Sequence, residues 1–227
     1  MARDRYGGTG FSRQACRPFT PVLDCSVWTD AGAATLDVEL LTLSISFPHL
    51  PKSFDGYRIL HLSDTHLDCL RELATVATGL LAGNEVDLLA LTGDIHGHHR
   101  APLSGSIGPL AELIKAVRVN DRRVAVLGNH DPTDMAEALE AVGFDVLANE
   151  PAVLSRGDDY IVLTGLDDVH RFYTPNALEA LSRSPGGFRI ALVHSAEVAD
   201  YAAAAGYALY LCGQGNTDLE WQPFGSI

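Results

Sequence analysis

Four apolar runs in this chain close on residues able to hold a cation. ILHLSDTH (59–66) ends in Asp64 and His66, LLALTGD (88–94) in Asp94, VAVLGNHD (124–131) in Asn129, His130 and Asp131, and RIALVHS (189–195) in His194. Carboxylate, imidazole and amide oxygen together suit a divalent transition metal of intermediate softness. Asp64 and His66 can both point inward if the chain has left its strand and begun to turn. Asp94 has two oxygens and could bridge two ions, and Asn129 offers a carbonyl oxygen that adds no charge to an already negative group. Two ions about 3.5 to 4 Å apart form a clamp suited to phosphoester hydrolysis. His130 is then the candidate to protonate the leaving group. Asp131 either orients His130 or caps the segment that follows. Taken singly, each of these residues could equally end a strand or cap a helix; their ordered set is what points to a metal site.

Such residues converge only if the strands that carry them lie side by side. Tyr57 to Ser63, Val86 to Thr92 and Arg123 to Leu127 are apolar enough to be covered on both faces. Between them, Leu70, Leu73, Val76, Ala77 and Leu80, then Leu110, Leu113, Ile114 and Val117, form helical stripes. Alternation of this kind is the signature of βαβ units and a parallel sheet, with ligands at the carboxyl ends of the strands. Upstream, Leu41, Leu43, Ile45 and Phe47 alternate with polar residues as a strand with one wet face. Downstream, Asp134, Glu137 and Gly143 bound a short helix. A hairpin follows through Val153, Leu154, Gly157 and Tyr160 to Leu163, then a strand over Phe188 to Val193, an alanine-rich helix over Glu197 to Ala205 and a last strand over Tyr207 to Cys212.

The 227 residues suit one α/β domain, with residues 1–34 read as a loose extension and 35–227 as the domain itself. A net charge of −13 argues against a nucleic-acid partner, which needs clustered Lys and Arg. Cys16, Cys25, Cys69 and Cys212 form no C-x-x-C pair, so neither a zinc knuckle nor a disulfide framework is expected. With no apolar run of membrane-spanning length and no signal-type segment, a cytoplasmic location is expected. His96, His98 and His99 in DIHGHHR read as a solvated loop, and His61 as a hydrogen-bonded core residue.

The ordered motifs D-T-H, G-D and G-N-H-D, followed by a strand-end His, resemble the calcineurin-like metallophosphoesterase superfamily. The likeness covers about residues 36 to 213. It implies a four-layer α/β/β/α sandwich with two divalent ions, of manganese, iron or zinc, that hydrolyse a phosphomonoester, phosphodiester or pyrophosphate bond. By matching positions, Asp64 and His66 would serve one ion, Asp94 would bridge, Asn129 and His194 would serve the other, and His130 would assist the leaving group. The phrasing LPKSFDGYRILHLSD, VLGNHD and ALVHS is most similar to the bacterial branch related to UDP-diacylglucosamine hydrolases. That implies a small phosphorylated or lipid-linked pyrophosphate substrate and is compatible with peripheral contact with a membrane. The chain departs from the superfamily after its last strand. Where the family carries G-H-T-H, this sequence reads LCGQGNTDLE, with Gln214 and Asn216 at the histidine positions and the sandwich shortened at its C-terminus. Asp218 and Glu220 are the next oxygen donors. The alternative expectation is therefore a catalytically impaired or truncated binding protein of the same fold.

Overall fold

A computed structural model describes residues 22–30, 36, 38–98, 100–170 and 175–213. Two sheets form its centre. The first has the order β2-β1-β3-β4-β5-β6, built from β1 (Val22–Asp30), β2 (Val38–Ser46), β3 (Tyr57–Leu62), β4 (Glu85–Thr92), β5 (Arg118–Val126) and β6 (Asp145–Val146). Only β1 and β2 pair antiparallel; every other neighbour in this sheet is parallel. The second sheet has the order β10-β9-β8-β7, from β7 (Glu150–Arg156), β8 (Asp159–Gly165), β9 (Phe188–Leu192) and β10 (Leu209–Leu211). Here β7 and β8 form the hairpin and the remaining pairs are parallel.

The continuous apolar strands are explained by what covers them. Ile59, Leu88, Ala90, Val124 and Val126 of the first sheet pack against Ile161, Leu163, Ile190, Leu192 and Leu211 of the second in one buried layer. The residues that alternate with them, including Leu60, Leu62, Leu89, Leu91 and Ala125, face outward under α1 (Arg71–Leu81), α2 (Ser104–Lys115) and α3 (Met135–Ala141). Ala191 and Val193 do the same under α4 (Pro175–Arg183) and α5 (Ala199–Ala204). Burial on both faces leaves no polar period in these strands. The layers therefore run helix, sheet, sheet, helix, as expected.

Several expectations are corrected. The loose extension read over residues 1–34 contains β1, which lies inside the first sheet between β2 and β3; residues 1–21 and 31–35 lie outside the described residues. In β2 the expected inner face is not buried: Leu41 and Leu43 are exposed, and Ile45 alone of that set packs on the inter-sheet core within the strand. The stripe of α1 is rotated slightly, so that Leu81 is buried and Leu80 exposed. Helix α4 and the two-residue strand β6 are not among the expected elements.

Candidate metal centre

The carboxyl ends of β3, β4, β5 and β9 meet where the two sheets adjoin, and each delivers its polar residues within a few positions of the strand end. Pairing continues past the strands. Asp64 N–H donates to Gly93 O at 3.1 Å, and His66 N–H to Asp94 O at 3.1 Å, so the first two loops run alongside each other. Three of the four non-glycine residues with positive φ among the described residues are candidate ligands: Asp64 (50°), His66 (37°) and Asp94 (52°). Such left-handed conformations are strained for side-chain-bearing residues and concentrate at functional sites.

Asp94 is the centre of the group. Its Oδ1 accepts the backbone N–H of His130 at 2.9 Å. Its Oδ2 lies 3.4 Å from His194 Nε2 and 4.0 Å from His66 Nε2. One carboxylate oxygen thus faces an imidazole from each half of the candidate centre. Asp64, His66 and Asp94 bring one donor atom each to within 4.8 Å of one another. On the other side, Asn129 Oδ1 is 3.1 Å from His194 Nε2.

The histidines are oriented by backbone carbonyls. A carbonyl only accepts, so His194 Nδ1 carries the proton it donates to Thr92 O at 2.8 Å, and Nε2 is left for a ligand. His66 Nδ1 faces His96 O at 3.3 Å, and His130 Nδ1 faces Gly97 O at 3.4 Å. The His66 and His130 rings stand edge to face with centroids 5.4 Å apart.

The electrostatics favour a cation. Burial alone would lower the His194 pKa, but the hydrogen bond and charge of Asp94, with the charge of Asp64, raise it to about 9. Burial raises the Asp64 pKa, with Asp94 adding to the shift. Burial also acts to raise that of Asp94, yet His194 and the His130 N–H hold it low. Protein carboxylates that retain a proton on a buried imidazole would equally favour a dication at that imidazole. The donor set and its charge therefore fit a metal.

Asp131, expected either to orient His130 or to cap the segment that follows, binds backbone N–H groups of two loops. Its Oδ1 accepts Ile95 N–H and His96 N–H, each at 3.0 Å, and its Oδ2 accepts Gly128 N–H at 2.9 Å. The side chain is fully buried and joins the loop after β4 to the loop after β5. Burial pushes its carboxyl up to about 6, against the pull of those backbone donors. Its geometry is that of a positioning residue acting through both loops.

The DIHGHHR segment is also corrected in part. His96 is buried, with Nδ1 2.8 Å from Ser106 Oγ, whereas His98 is exposed; His99 lies outside the described residues. His61 is buried as expected, with Nε2 2.7 Å from Thr92 Oγ1. At the far side, Gly213 donates its N–H to His194 O at 3.0 Å, and a Cβ there would stand 2.3 Å from Asp64 Oδ2. The last described strand therefore leads the chain directly onto Asp64. Gln214, Asn216, Asp218 and Glu220 lie outside the described residues.

Residues 57–219 match the family model of calcineurin-like phosphoesterases, and the chain belongs to that family. It is 30% identical over 177 residues to the uncharacterized metallophosphoesterase YkuE of Bacillus subtilis (strain 168), covering 71% of this chain and 59% of that protein. It is 28% identical over 177 residues to the uncharacterized metallophosphoesterase YkoQ of the same organism, covering 74% of this chain and 64% of that protein. The chain spans about three-fifths of the length of these curated relatives. A solved structure, the protein of unknown function AQ665 from Aquifex aeolicus, is 19% identical and aligns with 60% of this chain and 78% of that one at a TM-score of 0.33, too low to bear on function.

Proposed function

We propose that this chain hydrolyses a phosphoester bond at a centre of two divalent cations. The observation that carries this reading is Asp94 Oδ2 standing between His66 Nε2 and His194 Nε2. Asp64 and His66 would hold one ion, Asn129 and His194 the other, and Asp94 would contribute to both. When bound, the ions supply Lewis acidity at the phosphoryl group and make water a stronger acid at neutral pH.

The side chains supply the rest. His130, held through Nδ1 by Gly97 O, presents its other nitrogen to the leaving oxygen, to which the imidazolium form would donate its second N–H proton and become neutral imidazole. Asp131 holds the two loops that carry Asp94 and His130 in register, so that proton donor and carboxylate keep a fixed separation. The net charge of −13 supports a small phosphorylated or lipid-linked pyrophosphate substrate over nucleic acid. The resemblance of LPKSFDGYRILHLSD and VLGNHD to the UDP-diacylglucosamine hydrolase branch supports the pyrophosphate within that class. Among the described residues, no helix is long and apolar enough to cross a membrane.

A second reading rests on Gly213. Gly213 packs on Asp64, and in the sequence Gln214 and Asn216 stand after it where the family has histidines. Amide oxygens are weaker ligands than imidazole for these metals. This supports a centre with reduced metal affinity and low turnover. Elemental analysis after dialysis, paired with assays on an aryl phosphate and an aryl phosphodiester, tests both readings. Asp94→Asn should lose more metal than Asn129→Ala, and turnover with it; equal metal content in wild type and Asp94→Asn would remove the two-ion assignment. If Gln214→His with Asn216→His raises metal content and rate together, the weakened-centre reading stands.

A further inference from the structure

A second group of donors lies outside this centre. Asp68, Cys69 and His98 each bring one donor atom to within 4.8 Å of the others. His98 Nδ1 is 3.3 Å from Cys69 Sγ and 3.2 Å from Asp68 Oδ2, and Cys69 Sγ is 3.9 Å from Asp68 Oδ1. Around tetrahedral zinc, with bonds of about 2.0–2.3 Å, neighbouring donors stand roughly 3.3–3.6 Å apart. The separations of His98 from Cys69 and from Asp68 Oδ2 are close to that spacing, the sulfur stands 3.9 Å from the other carboxylate oxygen, and the exposure of Cys69 and His98 leaves a further position to solvent.

The carboxylate is fixed in advance. The Asp68 side chain is 3% exposed, and Oδ2 accepts His98 N–H at 2.9 Å while Oδ1 accepts Gly97 N–H at 2.7 Å. A carboxylate oxygen has a second lone-pair site, so Oδ2 can keep its backbone donor and still ligate. Cys69 is held against the same loop: a Cβ at Gly97 would stand 2.2 Å from its sulfur. Only a glycine leaves room for the thiol there.

We propose that Asp68, Cys69 and His98 form a binding site for a thiophilic divalent cation such as Zn²⁺, separate from the two-ion centre. Thiolate and imidazole select such ions over magnesium or calcium. On binding, the Cys69 thiol gives its proton to solvent as the sulfur–metal bond forms. The site closes on the loop whose His96 O and Gly97 O hold His66 and His130, so occupancy stiffens the peptide that orients both imidazoles. The site stands whether or not the chain hydrolyses phosphoesters.

Co²⁺ titration of the whole chain tests it, because thiolate ligation produces near-ultraviolet charge transfer that an oxygen and nitrogen centre does not. The band is expected in wild type and in Asp94→Asn, to disappear in Cys69→Ser, and to need at least tenfold more Co²⁺ in His98→Ala. No band in wild type overturns the site. So does a band that survives Cys69→Ser, which would belong to another thiol, or one lost in Asp94→Asn, which would place the thiolate in the main centre. A measurement free of variants accompanies it: Zn²⁺ added beyond the two equivalents that the main centre would take should slow iodoacetamide alkylation of Cys69, read by mass spectrometry of its peptide, at least tenfold. An unchanged alkylation rate overturns the proposal.

Discussion

Gly93 and Gly128 meet backbone against backbone: a Cβ on Gly93 would stand 2.5 Å from Gly128 N, and one on Gly128 would stand 2.2 Å from Asp94 Oδ1. Gly93 also has φ +90°, which disfavours any side chain. The loops after β4 and β5 can approach closely enough to share Asp94 only because both lack a side chain at this crossing.

Replacing either glycine should therefore separate the loops. Gly93→Ala and Gly128→Ala are each expected to cost at least about 3 kcal/mol, since the clash is with backbone or with the central carboxylate. Gly79→Ala in α1, where nothing lies within 4 Å, should instead stabilise by about 0.5–1 kcal/mol. Urea denaturation of the three variants, with metal content alongside, separates these outcomes.

Asp131→Asn leaves three backbone donors to a side chain with one acceptor oxygen. A loss of about 2–4 kcal/mol in stability is expected, with weaker metal retention because its hydrogen bonds join the loop that carries Asp94 to the loop that carries Asn129. If calorimetry shows an unchanged melting temperature, Asp131 does not hold the loops together.

His194 sets a pH dependence for metal binding. With its pKa raised to about 9 in the metal-free protein, Nε2 carries a proton at neutral pH that an incoming ion must displace. Apparent metal affinity should fall about tenfold for each unit of pH below 9 from this group alone. Titrations at three pH values read the slope; a flat profile between 6.5 and 8.5 contradicts the direction.

His130→Ala should lower turnover while leaving metal content close to wild type, because its side chain is assigned to the leaving group. The deficit should shrink as the leaving phenol becomes more acidic and needs less proton donation. Rates across a series of aryl phosphates give the comparison, and a constant deficit would assign His130 to positioning.

His61 bears on stability in acid. Burial lowers its pKa from 6.5 to about 4, so the native state keeps it neutral while the unfolded chain takes up a proton below 6.5. Stability from this group is full above pH 6.5 and declines as pH falls toward 4, by about 2 kcal/mol at pH 5. His61→Gln, which retains a polar partner for Thr92 without titrating, should flatten the difference between denaturation at pH 7 and pH 5.

The parts of this design legible in advance were those written as runs. Strands β3, β4, β5 and β9 are covered on both faces and read as unbroken apolar segments, so their polar endings stood out. Strand β1 did not, because the alternation of Leu23, Cys25 and Val27 with Asp24 and Ser26 in VLDCSVWTD is short and is broken at Trp28. Helix α4 has an apolar face of Ala177, Ala180 and Leu181, with Leu178 beside it, but is only nine residues long. At the centre, residue types pointed to a candidate ligand set, but nothing in Asp or His dictates the left-handed backbone of Asp64, His66 and Asp94. The place of Asp131 was hidden for a related reason: its partners Ile95 and His96 are 36 and 35 residues away, and backbone donors leave no mark in a sequence. His96 is buried with its Nδ1 beside Ser106 on α2 and Asp68, contacts set by packing.

The hydrogen bond from His194 to Thr92 O joins residues 102 positions apart and crosses from one sheet to the other. During synthesis the strands bearing Asp64, Asp94 and Asn129 leave the ribosome well before the one bearing His194. A partly made chain can therefore pair β3, β4 and β5 yet offer an ion only an open, unfinished set of donors. His194 would join the other donors only with the late docking of the second sheet, a contact of long sequence separation that forms slowly. Metal capture in this molecule would then act as the latch on a completed chain, biasing the last step of assembly toward the native arrangement.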